Sequence, residues 1–71
     1  MFSEPLSIFT VKIDTNNAAF SGDPAPELSR ILRAIADRVE GGEDISMFQT
    51  ILDANGADVG RFAHKPASYY H

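Results

Sequence analysis

The residues of this chain able to do chemistry are few. His64 and His71 are its only imidazoles, and they lack the i, i+4 spacing that places two zinc ligands on one helix face. Ser46 and His64 are a nucleophile and a base by type, but no G-x-S-x-G turn is present to expose and activate the serine. Asp53-x-Asn55-Gly56-x-Asp58 offers closely spaced oxygens in the manner of a calcium loop. Counted from Asp53, however, position 5 is Ala57, position 6 is Asp58 where a glycine is needed, and position 12 is His64 where a bidentate glutamate is needed. A hairpin turn is the better reading. With no cysteine there is no disulfide, no thiolate metal site and no thiol nucleophile. Gly22 stands alone before the helix described below, so no glycine-rich phosphate cradle exists. The expectation is a protein that is not an enzyme, with no catalytic residue, metal or cofactor.

Charge points to other proteins as partners. Ten acidic residues against six basic ones give a net charge of −4, the wrong sign for neutralising phosphates. Arg30, Arg33 and Arg38 form a basic flank, but acidic neighbours dilute it and a lone helix does not make a helix-turn-helix. No direct contact with nucleic acid is expected. Glu40, Glu43 and Asp44 form one acidic turn, while Asp53 and Asp58 mark another. Convergence of the two would imitate a phosphate row for a basic partner; separated, they are solvated charged loops. No basic leader or apolar run of ~18 residues is present, so a cytoplasmic protein that does not engage membranes is expected.

The elements that must position these groups follow from periodicity. Phe9, Val11 and Ile13 alternate with Thr10, Lys12 and Asp14, predicting a strand over residues 6 to 14 with one buried face. Leu6 and Ile8 have the opposite parity, so the strand begins apolar on both faces. Asp23-Pro24 is a helix start, and Leu28, Ile31, Leu32, Ile35 and Val39 form one helical stripe, read as the core face. The Gly41-Gly42 pair ends the helix. Residues 47 to 52 and 58 to 63 read as strands joined by Asp53-Ala54-Asn55-Gly56, where Asn and Gly are expected to supply positive-φ positions. Gly60 marks a bulge or a close approach of the helix backbone. Residues 66 to 71, with Tyr69 and Tyr70, read as a flexible tail after one domain over residues 1 to 65.

This order predicts an α+β fold of β-α-β-β type: a three-stranded, mainly antiparallel sheet of order 1-3-2 with the helix on one face. A parallel crossover between the first two strands is the competing topology. One helix leaves the other face bare, so Leu6 and Ile8 there, with the acidic residues above, are candidate partner contacts. Phe20 lies in a turn-rich loop, where it either plugs the core edge or meets a partner.

Two segments carry a resemblance. Leu-x-x-Ile-Ala-Asp-x-x-Glu-x-Gly at residues 32 to 42 and Ile-x-Asp-x-Asn-Gly-x-x-Val-Gly at residues 51 to 60 resemble a recurring class of short bacteriophage and mobile-element proteins. With the first strand, the likeness spans roughly residues 8 to 63. It implies a phage or prophage setting inside a bacterial host, in which small acidic proteins often bind a host protein or complex, including CRISPR effector complexes that they inhibit. It implies no catalytic residue. The alternative expectation is a self-assembling structural protein that dimerises through a sheet face or edge.

Overall fold

The computed structural model describes residues 7–65. Leu6, His71 and the tail expected from residue 66 onward lie outside the described residues. Strand β1 (Ile8–Ile13) is followed by a short 3-10 turn (Ala18–Phe20), helix α1 (Ala25–Glu40) and strands β2 (Gln49–Leu52) and β3 (Asp58–Lys65). The sheet order is β1-β3-β2 and both pairings are antiparallel. The architecture is therefore the expected α+β, β-α-β-β arrangement, with β3 at the centre.

Helix α1 begins one residue later than Asp23-Pro24 implied, with Pro24 as its N-cap. Asp23 nonetheless serves the start, since its Oδ1 accepts the N–H of Ala25 at 3.0 Å. At the other end Gly41 stays right-handed and Gly42, at φ +79°, takes the left-handed position. The N–H of Gly42 donates to Val39 O and that of Glu43 to Arg38 O, the paired bonds of a Schellman stop.

The hairpin departs from the expected turn in detail. Only Gly56 has positive φ, so Asn55 does not supply a second such position. The connection is wider than a two-residue turn: Asp53 N–H donates to Ala57 O, and Gly56 N–H to Asp53 O. Pairing then slips, with Ile51 opposite Gly60 and Leu52 opposite Asp58, so Val59 is the extra residue of a bulge. Gly60 is a site of close approach, but the approaching backbone belongs to β1. A Cβ there would collide with the carbonyl of Lys12.

The strand expected from Met47 starts only at Gln49. The preceding residues bend off the ladder because Ile45 O accepts the N–H of His64 and Ser46 O accepts Lys65 Nζ. Ile45 is buried as a result, while Met47 and Phe48 are exposed. Phe20, Ile31, Ile35, Ile45, Ile51, Val59 and Phe62 form the core, with Phe62 and Ile31 its most enclosed side chains. Burying each of these two removes enough apolar surface to contribute about 1.5–3 kcal/mol.

Candidate functional site

The helix is not centred on the sheet. Ile31 and Ile35, at 2% and 6% exposure, belong to the core cluster with Ile51 of β2 and Phe62 of β3, whereas Leu32 and Val39, from the same expected stripe, remain 50% and 45% exposed. Phe9, whose parity in β1 matches the core face, is also half exposed. These side chains are not buried together as a core. They line an open groove of about 380 Å³ between α1 and β1, walled by Phe9, Val11, Leu32, Ile35, Ala36 and Val39 with Glu40 at its rim. Glu40 is the only charged residue in that lining, and its carboxylate makes no hydrogen bond or ion pair among the described residues.

The groove adjoins the outer edge of β1, where no strand pairs among the described residues. Asp14 N–H donates to Val59 O at 2.7 Å, so by antiparallel alternation Thr10 and Lys12 turn their backbone groups to β3. Phe9, Val11 and Ile13 therefore present theirs at the edge. An apolar trough beside a row of outward amides and carbonyls has the features of a surface that receives an extended chain.

The acidic candidates separate into two groups. Asp53 and Asp58 lie at the hairpin end, which is tied to the start of α1 because the buried Glu27 accepts the N–H of Ala54 at 2.8 Å. Glu40, Glu43 and Asp44 lie at the opposite end of this 16-residue helix, about 20 Å away at 1.5 Å per residue. No single phosphate-like row exists. Most of these carboxylates already have internal partners. Asp53 is buried and accepts Ala57 N–H and Asn55 N–H at 2.9 Å and Asn17 Nδ2 at 3.2 Å. The Ala57 bond foremost holds its pKa below the usual carboxylate value. Glu27 is likewise lowered, chiefly by its two 2.8 Å bonds from Arg30. Glu43 is lowered by the guanidinium of Arg38, which also stacks 4.8 Å from the centre of the Phe62 ring and donates to Gln49. Asp44 accepts the N–H and hydroxyl of Ser46, and Asp58 pairs with Arg61; both are lowered by those bonds. Phe20 is buried at 3% exposure, the plug of the core edge that was one of its two expected roles.

The face away from the helix is less apolar than expected. By alternation Ile8, Thr10 and Lys12 of β1 lie there with Arg61, Ala63 and Lys65 of β3. Ile8 is exposed, but cations interrupt the surface, and Lys65 Nζ lies 5.4 Å from the centre of the Phe48 ring. Ser46 and His64 are engaged separately, Ser46 with Asp44 and His64 Nε2 with Ser7 Oγ at 3.4 Å.

The sequence reading missed the groove because it assigned one wide stripe to one buried face. A signal was present: Leu32, Ala36 and Val39 (i, i+4, i+7) form a second ladder beside Leu28, Ile31 and Ile35 (i, i+3, i+7). Among the described residues no helix is long and apolar enough to cross a membrane. No family model matches the chain, and no curated protein or solved structure is found to be similar to it.

Proposed function

We propose that this chain is a non-enzymatic protein-interaction module that acts through the groove between α1 and β1. The observation that carries this reading is the half-exposed trio Phe9, Leu32 and Val39, gathered on one trough beside the edge of β1 that no strand pairs among the described residues. Among the described residues nothing covers them, and apolar patches of this kind are the usual seats of protein contacts. The finer reading, a phage or prophage protein that blocks a host defence complex in the bacterial cytoplasm, rests on the sequence resemblance and the net charge of −4. A variant pair tests the groove. Immobilised wild-type protein is expected to retain a specific protein from bacterial lysate, and Leu32→Asp, which alters an exposed position, is expected to lose it while keeping its circular dichroism. Equal recovery by both would remove the groove from the account. For the finer reading, expression in cells under phage challenge should weaken their immunity, and unchanged immunity would overturn it.

A further inference from the structure

We propose that the occupant of the groove is a second copy of the chain, with β1 pairing antiparallel to β1 of the other copy across a twofold axis. The product is one six-stranded sheet with both helices on the same side. This rests on the groove being a protein-docking surface and names its occupant in the absence of another partner, which would have to displace the second copy.

The edge itself supports the pairing. Strand β2 is only four residues long, and its pairing with β3 slips at the bulge of Val59, both of which blunt an edge. Strand β1 has six residues, unbroken register with β3, no proline and one charge, Lys12. Antiparallel pairing of identical edges needs a twofold axis normal to the sheet, which keeps like faces together and restricts the register to residues of equal parity. One such register places Val11 opposite Val11 and Phe9 opposite Ile13 of the second copy. All three residues with outward backbone groups then pair, forming about six hydrogen bonds. On the far face Lys12 meets Thr10 of the second copy, so like charges are not opposed. On the helix side the two troughs merge, and Phe9 of each copy reaches the other's apolar wall.

The area is consistent with a reversible complex. Phe9, Leu32 and Val39, each about half exposed, bring roughly 300 Å² per copy. A standard interface buries about 800 Å² per partner, so the strand hydrogen bonds and the rest of the edge must supply the remainder and the dimer should be micromolar. A domain of 71 residues without cysteine gains stability from such a contact.

Thr10 provides a test whose sign depends on the register. It is exposed, so charged residues fit there without disturbing the core. Thr10→Lys would place two lysine pairs across the axis, Thr10→Glu two salt-bridging pairs with Lys12. Sedimentation equilibrium through the micromolar range should show a wild-type monomer–dimer equilibrium, weakened about tenfold or more by Thr10→Lys and preserved or tightened by Thr10→Glu. Amide exchange at Phe9, Val11 and Ile13 should slow as concentration rises. A wild-type monomer throughout overturns the second copy as occupant. In that event, lysate capture that Leu32→Asp abolishes keeps the docking groove, and capture unaffected by the variant removes it as well. A dimer in which those three amides exchange rapidly, or one that both Thr10 variants weaken equally, overturns the edge pairing. Protection of those three amides that persists in the monomer overturns the proposal too.

Discussion

The two flanks of α1 meet the sheet in different ways. On the β2–β3 flank, Ile31 and Ile35 are buried in one cluster with Phe62 and Ile51, and polar groups close the end: Glu27 holds Arg30 and the amide of Ala54, while Asp53 holds the hairpin amides and Asn17. On the β1 flank the same helix offers Leu32, Ala36 and Val39 to an open trough. Neighbouring positions one residue apart thus serve opposite ends, Ile31 the fold and Leu32 a surface. Among the described residues one helix faces three strands and does not cover them completely. It commits its tightest packing to the central strand and leaves the edge strand half covered.

Substitutions at the sealed flank should have the largest effect. Phe62→Ala removes the most enclosed side chain and is expected to cost about 3–5 kcal/mol, enough to unfold much of a domain this small, as read by urea denaturation. Ile31→Ala should cost about 2–5 kcal/mol by the same measurement. Gly60→Ala tests the seam between the flanks. Its new methyl would meet the Lys12 carbonyl and force β1 away from β3, an overpacking penalty of about 1–3 kcal/mol with faster amide exchange in β1.

A smaller effect is expected from pH. Glu27 and Asp53 have pKa values lowered in the folded chain, so folding favours their charged forms. Their contribution is complete above the ordinary carboxylate range and is lost as pH falls through the lower folded values, so the melting temperature should drop below about pH 4. Asp53→Asn should flatten part of that acid dependence; an unchanged profile would show that the hairpin end is not held by this carboxylate. The smallest effect belongs to the open flank. Leu32→Ala should alter stability by only about 0.5 kcal/mol, and a loss matching that of Ile31→Ala would abolish the distinction between the flanks.

The element order and the hairpin were legible because alternation, the helical stripe and the Asn-Gly turn are local signals; the antiparallel 1-3-2 order was the preferred of two arrangements those signals allow. Local signals also brought the Gly41-Gly42 stop within one residue of its geometry. The groove was less legible. Periodicity tells which residues share a helix face, yet Leu28, Ile31, Leu32, Ile35 and Val39 span an arc wide enough to face two strands. Which part of that arc is buried depends on the lateral position of the helix. That position answers to remote contacts: Phe20 and Ile45 in the core, and Glu27 accepting the amide of Ala54. The separation of the acidic turns had the same origin, since only the fold sends the hairpin to the helix start.

Sequence alone therefore determined the elements, their order and the types of side chain on each face, because backbone sterics and the burial of alternating residues act over a few neighbours. The tertiary structure decided that no strand among the described residues pairs with the outer edge of β1, that Phe9, Leu32 and Val39 share a trough, and that Asp53 and Phe20 are buried. Those outcomes come from competition among distant groups for one small core, and no short window of sequence contains all the competitors.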